Sequence, residues 1–417
     1  MNIDTDIATD YRALISMLRS SINVLPPDRF VNAAEWPVLF KLAREQGVYA
    51  YLYPWLAKHY AEHFSSKAKD SEATVAWRTL FLEALTQTLL RQRQISGILS
   101  SFEAEHIDVV VMKGAWLGET VYDDPAMRTM SDLDLLIRET DCDACHRLLL
   151  NLGYAAARKT LHNPLAYDQV YVHPDQTKLV ELHWHVASDM IPSIPRPDIT
   201  AIWQNTTAAD YRGHPVKALR PADQLAHLVH HMLHHRFAVP LRSYVDIALV
   251  VQKHGDDLSP RALNDASSRW KTGLGLPFVL RLTHELLGIA LTPEMHSYAP
   301  ELESVRRTQA LRALFDLPTA QACGGEITLL RFKSLTPLAR LRLILSRIFM
   351  PRQFMMMQYP GARHMCGLPF AWFRRACDLH RLHREKIKAM LTPGTEEEHL
   401  LDNAASRADL VNWLVSS

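Results

Sequence analysis

Apolar positions change their spacing twice along this chain. Over residues 7–105 they recur at helical intervals, most clearly in 11–25, 33–59 and 74–105. Pro26-Pro27 separates the first of these stretches from the second. Between about 106 and 216 the period shortens. A β-branched run at 107–112 predicts a buried strand. Residues 114–122 predict a short helix ended by Asp123-Asp124-Pro125, and 131–138 a second strand. A helix over 141–152 stops at Gly153. Residues 169–173 and 178–186 predict a hairpin around Pro174-Asp175. From Pro221 onward the pattern is helical again, clearest at 221–236, 241–254 and 277–287. No fixed-period repeat and no low-complexity segment interrupts it.

The two central strands carry the chemistry. In a strand, residues i and i+2 share a face. Asp132 and Asp134 therefore project side by side from 131–138. In 178–186, Leu179, Glu181, His183 and His185 share one face, while Val180, Leu182, Trp184 and Val186 form the apolar one. Adjacent carboxylates repel and lose hydration when held on a sheet, and a divalent cation relieves both costs. If the strands are neighbours, Asp132, Asp134 and Glu181 converge as three hard oxygen donors.

Composition adds limits. A chain of 417 residues with 48% apolar and 22% charged positions is ordinary globular protein with room for two or three domains. A net charge of +1 excludes a polycationic or polyanionic chain overall. Five scattered cysteines form no disulfide framework and point to a reducing cytoplasm. Cys142 and Cys145 form a C-x-x-C beside His146, but the second ligand pair of a zinc site is missing. The polar, acidic N-terminus lacks the regions of a signal peptide, and no apolar run reaches the roughly 18 residues of a membrane span.

Several motifs together resemble the uncharacterised bacterial nucleotidyltransferase family of the DNA polymerase β-like superfamily. They are Lys113-Gly114-Ala115, Tyr122, Pro125, Arg128, Ser131-Asp132-Leu133-Asp134-Leu135-Leu136 and Glu181-Leu182-His183-Trp184. The likeness continues through Leu219-Arg220-Pro221-Ala222-Asp223-Gln224-Leu225, then His227, His231, His235, Leu241-Arg242 and Asp246. It implies an α+β protein: a small mixed-sheet nucleotidyltransferase core at 86–216, N-terminal helices at 1–85 and a large C-terminal helical region at 217–417. It also implies metal-dependent transfer of a nucleotidyl group from a nucleoside triphosphate to a hydroxyl- or phosphate-bearing acceptor, with pyrophosphate leaving. Asp132, Asp134 and Glu181 would be the catalytic and metal-binding acids, for magnesium or alternatively manganese. Lys113, Gly114, Arg128, His231 and His235 would contact the nucleotide. The wider superfamily has Gly-Ser where this chain has Lys113-Gly114. Here a lysine charge would replace the serine hydroxyl, and the glycine would admit the ligand to the backbone.

Competing readings stand beside these. Arg128 has Asp124 as an alternative partner to phosphate. His227, His231 and His235 lie at i, i+4 and i+8 on one helix face. They are open to zinc ligation, to a place beside the nucleotide, and to plain helix packing. Residues 331–384 are rich in Lys and Arg with a single acid, Asp378, and suit either a solvated face or a peripheral anionic partner. A non-catalytic nucleotide- or anion-binding module is the alternative to an enzyme.

Overall fold

A computed structural model describes residues 9–28, 31, 35–64, 72–157, 166–174, 179–187, 194–315, 338, 345, 348–350, 355, 359, 367–390 and 396–416. The chain divides into two units, Met1–Phe315 with Leu410–Ser417, and Asp316–Asp409.

Helices open the first unit: α1 (Thr9–Ile22), α2 (Trp36–Glu45), α3 (Tyr49–His59), α4 (Ala61–Phe64) and the 33-residue α5 (Glu72–Ala104). The helical stretch expected over 33–59 is two helices, because Gly47 turns the chain at φ +66°. Next come β1 (Val109–Val111), α6 (Lys113–Thr120), β2 (Asp132–Ile137), α7 (Cys142–Asn151), β3 (Ala155–Ala156), β4 (Asp168–Val172) and β5 (Leu179–His183). After α8 (Ile199–Gln204), a hairpin of β6 (Thr207–Tyr211) and β7 (His214–Ala218) follows. The rest is helical: α9 (Pro221–His234), α10 (Leu241–His254), α11 (Pro260–Trp270), α12 (Gly275–Leu287), α13 (Pro293–Tyr298) and α14 (Ser304–Phe315).

The seven strands form one mixed sheet in the order β3-β4-β5-β2-β1-β7-β6. β2 is antiparallel to β1 and parallel to β5, and β1 is parallel to β7. β4 pairs antiparallel with β5, as the predicted hairpin requires. The hairpin β6–β7 was not anticipated from the sequence. Its turn, Arg212-Gly213, holds both residues at positive φ (53° and 88°), as a tight two-residue hairpin demands.

Two apolar clusters lie on opposite faces of this sheet. Leu133, Leu135, Ile137, Val180 and Leu182 pack with Ile95, Ile98 and Phe102 of α5 and Cys145 and Leu149 of α7. Val110 and Leu136 point the other way, into a core with residues of α1, α3, α9, α10 and α12. Alternation along β2 thus buries every second side chain against α5 and α7 and turns Asp132, Asp134 and Leu136 to the opposite face. Cys142 and Cys145 serve the α7 packing layer. Burial pushes the Cys142 thiol up to about 12 and raises that of Cys145 as well, which makes both inert as thiolates.

In the second unit, Met355 and Ala371 form a small apolar cluster with Met350, Leu368 and Trp372. Most of the basic stretch expected at 331–384 lies outside the described residues. Among the described residues, no helix is long and apolar enough to cross a membrane.

Candidate active site

Pairing of β2 with β5 sets Asp134 directly beside Glu181, and Asp132 beside Leu179. Parallel register puts neighbouring side chains on the same face, so the acids of both strands share one surface. That surface opposes the α5/α7 layer. Asp134 is buried at 2% exposure, while Asp132 and Glu181 are half-buried.

The turn between β1 and α6 delivers Lys113 to this patch. Lys113 holds a left-handed backbone, φ +46°, at the first residue of α6. A non-glycine residue there costs about 1 kcal/mol, and such strain gathers at functional sites. Its Nζ donates to Asp134 Oδ1 at 2.8 Å. The same oxygen lies 3.0 Å from His183 Nε2, which is also 3.5 Å from Glu181 Oε2.

These contacts set the protonation of the patch. Burial alone would raise the Asp134 carboxyl, but Lys113 and His183 hold it well below the usual carboxylate range. Burial would lower His183, yet its hydrogen bonds to Asp134 and Glu181 raise it to about 9. Lys113 is likewise raised: the pull of Asp134 exceeds its loss of hydration. Asp132 moves up from the ordinary value, through partial burial and then through the charge of Asp134. A raised Asp132 beside a lowered Asp134 marks two crowded carboxylates that compete for positive charge.

This donor set fits a divalent cation. Side-chain ligand atoms of Asp134, Glu181 and His183 all lie within 4.8 Å of one another. Two carboxylates and an imidazole gather in that space, two hard oxygen donors and one softer nitrogen, and Asp132 lies on the same face of β2. Sequence reasoning placed His183 on the acidic face of its strand but assigned it no role. Period-two alternation, Leu179-Glu181-His183, was the signal that would have found it.

Other expected residues occupy different surroundings. Arg128 is buried, and its guanidinium grips Asp246 with Nε–Oδ1 at 2.6 Å and Nη2–Oδ2 at 2.7 Å. Tyr122 Oη donates to the same Asp246 Oδ1 at 2.7 Å. Asp124, the other partner considered for Arg128, instead accepts from the Ala126 N–H at 2.8 Å and caps a 3-10 turn. Gly114 adjoins protein rather than open space: a Cβ there would sit 3.1 Å from Met130 Cβ and 3.2 Å from Arg128 Nη1. Its lack of a side chain lets α6 close over the loop that leads into β2.

Helix α9 turns one histidine-bearing side toward the patch. His227 stacks on Trp270, with ring centroids 4.9 Å apart, and burial followed by the nearby Lys113 charge pushes it down to about 3. His231 and His235 are in ring contact at 4.4 Å. Both are lowered by loss of hydration, and both lie within the field of Lys113. The helix itself is anchored by Asp223, which accepts from Arg269 Nε (3.0 Å), Trp270 Nε1 (2.8 Å) and Asn205 Nδ2 (2.5 Å). Asp223, although part of the motif run, is therefore a structural acid.

The sequence matches no curated protein. Among solved structures, the antibiotic-resistance factor ANT(2'')-Ia overlaps 43% of this chain and 90% of its own, at 14% identity and a TM-score of 0.31, too distant to inform the site. The family profile described as uncharacterised nucleotidyltransferase matches residues 32–288, which takes in the whole sheet, the acidic patch and α9 to α12. With that span covered, the chain belongs to the uncharacterised nucleotidyltransferase family, a family of transferase enzymes.

Proposed function

We propose that this protein transfers a nucleoside monophosphate from a nucleoside triphosphate to a hydroxyl- or phosphate-bearing acceptor in a magnesium- or manganese-dependent reaction. The observation that carries this reading is the side-by-side register of Asp134 and Glu181, with Asp132 one pleat away on the same face. A bound divalent ion would neutralise charge on the triphosphate oxygens. Asp132, Asp134 and Glu181 are the residues that would hold it.

The chain's own groups do the rest. Glu181, half-buried and at the edge of the patch, accepts the proton of the attacking acceptor oxygen. That oxygen forms a bond to the α-phosphorus as the bond from phosphorus to the pyrophosphate oxygen breaks. Lys113, now on Asp134, is long enough to turn toward phosphate and stay a cation there. Gly114 and Arg128 shape the turn beside it. His231 and His235 border the nucleotide from α9. Positioning and charge compensation provide most of the acceleration, since the protein forms no covalent intermediate.

In this reading the catalytic core spans 86–216, flanked by helical regions 1–85 and 217–417. A cytoplasmic setting agrees with the buried thiols of Cys142 and Cys145.

Incubation of the full chain with α-labelled triphosphates, magnesium and cell extract as the acceptor source should release pyrophosphate and label an acceptor. Asp132→Ala should abolish both. Release that is unchanged in Asp132→Ala would refute the assigned site. Nucleotide binding without any release would identify a binding module instead.

A further inference from the structure

Three arginines converge on the short loop that carries the chain into β2. Arg91 of α5 donates from Nη2 to the Met130 carbonyl at 3.1 Å. Arg242 of α10 donates from Nη1 to the Thr129 carbonyl at 2.9 Å and lies 3.3 Å from Thr129 Oγ1. Arg128 donates from Nη1 to the same Thr129 carbonyl at 2.5 Å. Among the described residues only Arg128 hydrogen-bonds a carboxylate: Asp246 takes both ends of its fork.

Arg91 and Arg242 are left in an unusual state. Arg91 is 3% exposed, and its Nε and Nη1 have no hydrogen-bond partner among the described residues. The Nε of Arg242 is in the same condition. Their contacts are neutral carbonyls, not acids. Burial and the repulsion of Arg128 lower the pKa of each to about 10. Asp132 lies in the field of both and Asp246 in that of Arg242, but neither acid takes a hydrogen bond from them, and buried N–H donors left orphaned are costly. A protein keeps such groups where a ligand completes them.

Their position identifies the ligand's chemistry. Met130 and Thr129 lie two and three residues before Asp132, and Asp132 is within the field of Arg91, Arg128 and Arg242 alike. Lys113 also faces Asp132. Gly47 lets the Arg242 side chain pack against the turn between α2 and α3: a Cβ there would sit 3.3 Å from Arg242 Nη1. Tyr49 lies in the field of Arg91 and Arg242, and burial raises the pKa of its phenol. Guanidinium groups with unfilled donors beside a carboxylate patch suit a multiply charged oxyanion with several acceptor oxygens.

We propose that Arg91 and Arg242 form a polyphosphate subsite that receives the β- and γ-phosphates of the nucleoside triphosphate beside Asp132. This rests on the transferase reading for its substrate, but anion binding is tested apart from turnover. Arg91 and Arg242 would hold the end of the substrate that departs as pyrophosphate. A phosphate carried by the acceptor offers the same chemistry from another source.

Calorimetry on the full-length protein with tripolyphosphate, with inorganic phosphate and with an α,β-methylene triphosphate separates these cases. Arg91→Gln and Arg242→Gln should each weaken tripolyphosphate and the triphosphate analogue about tenfold or more, with affinity for the bare nucleoside unchanged. Loss confined to inorganic phosphate, with the triphosphate analogue unaffected, would overturn the assignment in favour of an acceptor phosphate. Affinities within about twofold of wild type would overturn the subsite altogether. Because either variant can fail to fold, the unaltered protein provides a second test. Tripolyphosphate should slow phenylglyoxal modification of Arg242, read by mass spectrometry, and a nucleoside should not. Absence of protection would also overturn the proposal. Pyrophosphate release with unchanged anion affinity in the variants would leave the transferase reading standing. Anion binding through the arginines without release would do the reverse.

Discussion

Asp134 and Asp246 are almost equally buried, at 2% and 1% exposure, yet their surroundings differ in kind. Asp246 meets one guanidinium in a two-point fork and one tyrosine hydroxyl. One acid there balances one fixed cation. Asp134 shares a single oxygen between a flexible lysine and a titratable imidazole, with Glu181 beside it on the next strand. Asp132 adds a further carboxylate on the same face. The first arrangement is saturated and has nothing left to exchange. The second holds its charge with partners that can move away or lose a proton. Burial of an acid therefore does not mark a reactive site; crowding with like charge and replaceable partners does. Asp223, locked by Arg269, Trp270 and Asn205, falls with Asp246 on the structural side.

Removing each acid should break this comparison most sharply. Asp246→Asn leaves the Arg128 guanidinium buried without its counter-charge and should cost about 3–5 kcal/mol of stability in denaturant titration. Asp134→Asn should cost markedly less, because Lys113 can reach water or Asp132 and His183 can become neutral. Equal losses in the two variants would show that Asp134 is as much a fixed structural acid as Asp246.

Acid and alkali should separate the regions next. In the metal-free chain, His227 and His230 have folded values of about 3 and about 4, below the unfolded value near 6.5. Their contribution is complete above that unfolded value and is lost as pH falls toward 4. His183, raised to about 9, contributes fully below the unfolded value and loses its contribution as pH climbs through 9. Each limb is worth up to about 1.4 kcal/mol per pH unit per group. Melting temperature against pH should therefore peak near neutrality. His183→Gln should flatten the alkaline limb alone; an unchanged alkaline limb in that variant would contradict the proposed pairing with Asp134.

Much of the site's frame was legible in the chain. A β-branched run revealed β1, an apolar run carrying two acids one residue apart revealed β2, and alternation in 178–186 separated the acidic face of β5 from its apolar one. Those signals survive because the sheet is packed on both faces. The β6–β7 hairpin was hidden: Thr207–Tyr211 and His214–Ala218 lack a run of large apolar residues, and β6 is the edge strand, with β7 between it and β1. The partner of Arg128 could not be read locally, since Asp246 is 118 positions away. Gly114 looked like a ligand approach because its neighbours in space, Arg128 and Met130, come from a loop that spacing does not place. Chemistry carried by one or two adjacent strands was readable, whereas ion pairs between distant elements required the fold.

The central claim is that the polar face of β2 and β5 is where nucleotidyl transfer occurs. Pyrophosphate release from α-labelled triphosphate, measured for wild type and Asp134→Asn at matched folded fractions, tests it most directly. The account predicts magnesium- or manganese-stimulated release by wild type, ended by chelation, and a loss of about 1,000-fold or more in Asp134→Asn, roughly 4 kcal/mol of transition-state stabilisation. Wild-type release by a folded Asp134→Asn protein would contradict it.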